Sequence, residues 1–140
     1  MDGYGFTKDL PAEINKPFKG VYIFHGNTSE DGKEVDGKGL WAILQAGHGA
    51  RFSTDGKVNN YSDRFGVEVT FAIRMKEIDP KANIAILKYS RGGTSLDTAA
   101  QNYGTWEENF LKGNGINQYD HFMAAVKYAM QKSDIDGDGR

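Results

Sequence analysis

The residues best suited to chemistry lie in Tyr89-Ser90-Arg91-Gly92-Gly93-Thr94-Ser95-Leu96, where paired glycines and hydroxyl side chains follow the apolar run Ile84-Ala85-Ile86-Leu87. In open α/β sheets, ligands bind just past the carboxyl ends of the strands. Paired glycines let the backbone approach a ligand and aim N–H groups at a developing negative charge. Gly92 and Gly93 are therefore oxyanion-hole candidates, with Arg91, Thr94 and Ser95 as candidate substrate contacts, although a plain tight turn fits the same residues. A phosphate loop is excluded because no Lys follows in the required register. The Gly-x-Ser-x-Gly nucleophile elbow is absent around Ser95.

Three histidines could serve acid–base chemistry. His25 closes the apolar run Val21-Tyr22-Ile23-Phe24 and is a candidate substrate contact in the same cleft; His48, also a candidate substrate contact, sits in Gly47-His48-Gly49, expected to be a flexible loop; His121 stands beside Asp120. A general base needs a hydroxyl partner and an orienting carboxylate in space, which spacing alone does not supply. The tail Asp134-Ile135-Asp136-Gly137-Asp138-Gly139 matches the opening of a Ca²⁺ loop, with acidic residues at loop positions 1, 3 and 5 and Gly at 6. The later ligands of such a loop are not in the chain, so Asp134, Asp136 and Asp138 predict a weak Ca²⁺ site or an acidic turn.

The elements that position these residues follow from hydrophobic periodicity. Val21–Phe24 and Ile84–Tyr89 read as strands, the second too continuously apolar to be half exposed and so expected to be covered on both faces. Between them Val67, Phe71, Met75 and Ile78 recur at helical spacing, with Ser62 or Asp63 as cap and Pro80 as stop. A last helix runs from about Gln118 to Lys132, capped by Asn117, with Tyr119, Phe122, Met123, Val126, Ala129 and Met130 as its core-packing stripe. Asp-Gly-Lys occurs at Asp31, Asp36 and Asp55 in the long loop before the first helix and reads as turn punctuation. The order strand, loop, helix, strand, loop, helix belongs to α/β architecture with a parallel sheet. Two strands are too few for such a sheet, so either the chain dimerises or strands lie elsewhere.

Composition narrows the partners. The 140 residues carry 17 basic and 19 acidic side chains and no Cys. That balance gives no electrostatic footprint for nucleic acid, and neither a disulfide nor a thiolate metal site can form. No apolar window approaches the roughly 18 residues of a membrane span, and the start, Met1-Asp2-Gly3-Tyr4-Gly5, does not read as a signal peptide.

Lys88-Tyr89-Ser90-Arg91-Gly92-Gly93-Thr94-Ser95-Leu96 resembles the second block of the sialate O-acetylesterase-like branch of the SGNH hydrolases, which are serine carbohydrate esterases. Phe65-Gly66-Val67-Glu68-Val69-Thr70-Phe71-Ala72 is similar to a helix start of the same family. The resemblance implies an incomplete three-layer α/β/α, flavodoxin-like fold with a parallel sheet, residues 1–140 being part of one domain. It also implies removal of O-acetyl groups from a glycan such as sialic acid or acetylated xylan. In that chemistry Ser attacks the ester, His takes the proton and backbone N–H groups hold the oxyanion. No cofactor is required, and glycan-directed relatives imply a secreted or periplasmic parent protein.

Two registers are open for the nucleophile block, Gly-Gln-Ser-Asn-Met followed by an acidic residue and Gly. In the preferred one, Met1-Asp2-Gly3 matches its end, so the nucleophile lies upstream; the late Gly-Glu-Ser-Asp block and Asp-x-x-His pair are also absent. In the other, Gly26-Asn27-Thr28-Ser29 overlays Gly-Gln-Ser-Asn and Thr28 substitutes for the nucleophile. Either way the chain is expected to be inactive by itself. A reading from a different class is a non-catalytic sugar-binding or Ca²⁺-dependent module, with Trp41, Trp106 and Tyr103 as stacking faces.

Overall fold

A computed structural model describes residues 5–100, 102–110, 112–132, 134–136 and 138. In chain order the elements are β1 (Gly5–Phe6), β2 (Val21–His25), β3 (Trp41–Ile43), β4 (Ser53–Thr54), β5 (Asn59–Asn60), β6 (Arg64–Phe65), α1 (Val67–Ile78), β7 (Ile84–Lys88) and α2 (Gln118–Met130). The chain is mixed α/β, and among the described residues there are three small sheets, ordered β1-β6, β3-β2-β7 and β4-β5. β2 and β7 form the parallel pair, in register from Val21 opposite Ile84 to His25 opposite Lys88. β3 adds to the other side of β2 antiparallel, with Phe24 opposite Trp41. Among the described residues no helix is long and apolar enough to cross a membrane.

Strand alternation sends side chains to opposite faces, and each face receives one helix. Val21, Ile23 and Ile84 pack with Ala72 and Met75 of α1, joined by Leu44. Phe24 packs with Ala125 and Ala129 of α2, flanked by Trp41, Leu87 and Tyr89. Fully burying one side chain such as Ile23 contributes about 1.5–3 kcal/mol, so this double-sided packing of β2 makes it the centre of the structure.

Both helices form where periodicity places them, but each is rotated from its expected stripe. In α1 the buried positions are Glu68, Val69 and Ala72, whereas Val67, Phe71 and Ile78 stand 58%, 49% and 65% exposed. In α2 the buried positions are Gln118, His121, Ala125 and Ala129, while Met130 is 79% exposed. Small and polar side chains let the helices approach the sheet and bond to its loops, and an apolar count does not register that. Asn117 caps α2 as expected, with Asp120 completing a capping box, and α1 ends at Ile78, with Asp79 as its C-cap before Pro80. Ser62 and Asp63 do not cap α1, because β6 intervenes; the Glu68 carboxylate accepts from the Gly66 N–H instead (2.8 Å). β7 is also less covered than its apolar run suggests, since among the described residues no strand pairs with its outer side and only Ile84 of the strand is buried.

Candidate functional site

β2 and β7 run parallel, so their carboxyl ends open at the same edge of the sheet. The Gly26 N–H donates to the Lys88 carbonyl (3.1 Å) one step past His25, and the two loops then diverge. Between them lies a cleft of about 280 Å³. Asn27 and Thr28 line it from the β2 side, Ser90, Arg91 and Gly92 from the β7 side, and Arg51, Phe52 and Tyr103 from the surrounding loops. Glycine at position 26 is required by α2: an added Cβ would sit 2.6 Å from the Ala125 Cβ.

A buried polar network fixes these loops. Tyr89 donates its hydroxyl to Gln118 Oε1 (2.8 Å). Gln118 Nε2 in turn donates to the Ser29 carbonyl (2.9 Å) and to Asp31 Oδ1 (2.8 Å), while Asp31 Oδ2 accepts from the Thr105 N–H (2.9 Å). Burial pushes the Tyr89 phenol up to about 12, so it remains a donor. Asp31, expected only to punctuate a turn, thus joins both cleft loops to α2. Nothing local in the sequence signals this, because Thr105 and Gln118 lie more than seventy residues away. Asn27 is similarly occupied, donating to the Thr54 carbonyl and accepting from the Thr54 N–H.

Each proposed contact has a definite place. Arg91 and Gly92 line the cleft; Arg91 Nε donates to the Tyr103 carbonyl (2.9 Å) and its guanidinium lies 3.7 Å from Glu30. Gly93 lies behind the wall at φ +75°, where an added Cβ would collide with the Tyr103 ring. Thr94 and Ser95 are outside the lining. The Thr94 hydroxyl donates to the Arg91 carbonyl and accepts from the Trp106 indole, while Ser95 accepts from the Asp97 N–H; both are committed to shaping the loop. Trp106 is committed with them, and Trp41 donates to the Ala129 carbonyl (3.0 Å). Of the three proposed stacking rings, only Tyr103, 64% exposed, faces the cleft.

The histidines form the floor. His25 lines the cleft; His48, expected in a flexible loop, is fully buried behind it. Phe52 stacks on His25, ring centroids 4.2 Å apart and planes 13° apart, and Tyr61 meets His48 edge-on. Below them Lys88 Nζ bonds Glu68 Oε2 (2.7 Å) and the His48 carbonyl (2.5 Å). Burial, aided by the Lys88 and His48 charges, lowers His25 to about 2; burial outweighs the opposing pull of Glu68 and lowers His48 to about 4. Both are neutral near pH 7 and are weak proton acceptors. His121 is held to the Glu30 carbonyl (3.0 Å) at the start of α2.

Away from the cleft, carboxylate oxygens of Asp134, Asp136 and Asp138 gather within 4.8 Å of one another. The Asp138 N–H donates to Asp134 Oδ1 and Asp136 Oδ1, a turn geometry compatible with the opening of a Ca²⁺ loop. Met1 to Tyr4, on which the preferred register rests, lie outside the described residues. No protein-family model, curated protein or solved structure matches the chain.

Proposed function

We propose that the cleft at the ends of β2 and β7 is the sugar- and acyl-binding part of a carbohydrate O-acetylesterase site, on a fold of the three-layer SGNH kind. The observation that carries this reading is the meeting of a hydroxyl loop, Asn27-Thr28, and a glycine loop, Ser90-Arg91-Gly92, in one cleft beyond a parallel strand pair. The same meeting supports the Thr28 register over the one built on Met1, because Gly26–Ser29 stands where a nucleophile would face the Gly92 loop. Gly92 would donate its N–H to the oxyanion, Arg91 would hold a sugar hydroxyl or ring substituent, and Tyr103 would present its ring to a sugar face.

Binding without turnover follows from the acid–base groups. Thr28 needs a base to take its proton, and His25 and His48 are held neutral with depressed basicity. We read these 140 residues as a binding half-site in which neither His25 nor His48 serves as the catalytic base. The test is titration of the chain with an O-acetylated monosaccharide and its deacetylated form, following the acetyl methyl resonance by NMR. Preferential binding of the acetylated form with acetate release at the buffer rate is expected; equal or absent binding of both contradicts the reading.

A further inference from the structure

β7 is the outer strand of its sheet: β2 occupies one side, and no described strand occupies the other. Hydrogen bonding fixes which groups face outward. The Ile84 N–H donates to the Gly20 carbonyl and the Lys88 carbonyl accepts from the Gly26 N–H, so residues 84, 86 and 88 direct their backbone toward β2. Ala85 and Leu87 therefore present their N–H and C=O groups to the open side. Along that side runs a groove of about 740 Å³, floored by Ile86 and Leu87 and walled by Val67 and Phe71 of α1 and by Phe122 of α2. Val67 and Phe71 of α1, expected from the sequence to face a core, face this groove instead.

We propose that this edge pairs with the same edge of a second copy, giving a two-fold dimer whose sheet is continuous across both chains. The edge is self-complementary about Ile86. Antiparallel pairing centred there sets Ala85 opposite Leu87 of the second copy, and both face outward. They therefore exchange N–H···O=C bonds as a hydrogen-bonded pair, on each side of an Ile86–Ile86 pair at the axis.

The same axis suits α1. The Lys88–Glu68 ion pair, 2.7 Å long, sets Glu68 level with Lys88. From Lys88 to Ile86 is about 6.6 Å along a strand, and at about 1.5 Å per helical residue that distance runs from Glu68 to between Ala72 and Ile73. An axis at that level pairs Val67 with Ile78 of the second copy and Phe71 with Arg74 of the second copy: apolar on apolar, and guanidinium on ring. α1 packs on residues of both β2 and β7, so the two α1 helices stand about 10 Å apart, the ordinary separation of packed helices. The two clefts open in opposite directions, away from the shared edge.

Sedimentation of the 140-residue chain across the micromolar range tests this. A dimer is expected. Ala85→Pro removes an outward donor while leaving the β2 bonds, and Phe71→Lys sets like charges opposite Arg74; each should weaken dimerisation at least about tenfold with circular dichroism unchanged. The swap Phe71→Lys with Arg74→Glu should restore it. A chain monomeric throughout, a dimer indifferent to both variants, or association without limit overturns the proposal. The first result would assign the groove to a strand from elsewhere.

Discussion

Lys88→Met isolates the contact that joins the fold to the cleft. The Lys88 side chain is 10% exposed and that of Glu68 1%, and they meet at 2.7 Å. Lys88 also donates to the carbonyl of His48, the residue before the Gly49–Phe52 wall of the cleft. Removing the ammonium leaves a buried carboxylate whose remaining hydrogen bond is to the Gly66 N–H, and strips the His48 carbonyl of that donor. Breaking a buried pair from one side costs about 3–5 kcal/mol. At about 3–4 °C per kcal/mol for a domain of this size, the melting temperature should fall by roughly 10–20 °C. The double variant Glu68→Gln with Lys88→Met leaves no buried charge and should lose far less than the two single losses added together. Urea unfolding of all four proteins gives the coupling energy, expected above about 2 kcal/mol. A single variant losing under about 1 kcal/mol, or strictly additive losses, would refute the view that this pair is desolvated and structural.

Other outcomes follow from the same contacts. His25 and His48 titrate lower in the folded chain than near 6.5 in the unfolded one, so the unfolded state binds more protons below that pH and stability is lost as pH falls through it. From about pH 7.5 to about pH 5 each histidine should cost about 2 kcal/mol, seen as a falling urea midpoint; a midpoint flat with pH counts against the burial. Gly93→Ala should destabilise by about 1–2 kcal/mol from its left-handed backbone alone, and displacement of Tyr103 should weaken sugar binding measurably by NMR. Thr94→Val removes the acceptor of the Trp106 indole and should cost about 1–3 kcal/mol, readable by urea unfolding. Calcium titration by calorimetry should show heat only in the millimolar range, since the chain offers three carboxylates where a full loop needs further ligands; submicromolar affinity would contradict this.

The elements were legible wherever local chemistry decides them. Asn117 marks the start of α2, Pro80 bounds α1, and the strand-sized apolar runs become β2 and β7. The buried helix faces were not legible, because Glu68, Gln118 and His121 are interior through distant partners: Lys88, Asp31 and the Glu30 carbonyl. The cleft was half legible. Arg91 and Gly92 sit where a strand end predicts, but Arg51, Phe52 and the Asp31 network come from the long Gly-rich segment, whose path depends on contacts no spacing records. Thr94 and Ser95 carried the right chemistry and were consumed by the loop that holds Trp106 and Gly104.

The most direct measurement is an amide NMR titration of the 140-residue chain with an O-acetylated monosaccharide, comparing the wild type with Thr28→Ala. Shifts concentrated at Thr28, Ser90, Arg91, Gly92 and Tyr103, with no acetate released, are the predicted result. Shifts absent from those residues, or acetate released by the chain alone and abolished in Thr28→Ala, would contradict a cleft that binds acetylated sugar without hydrolysing it.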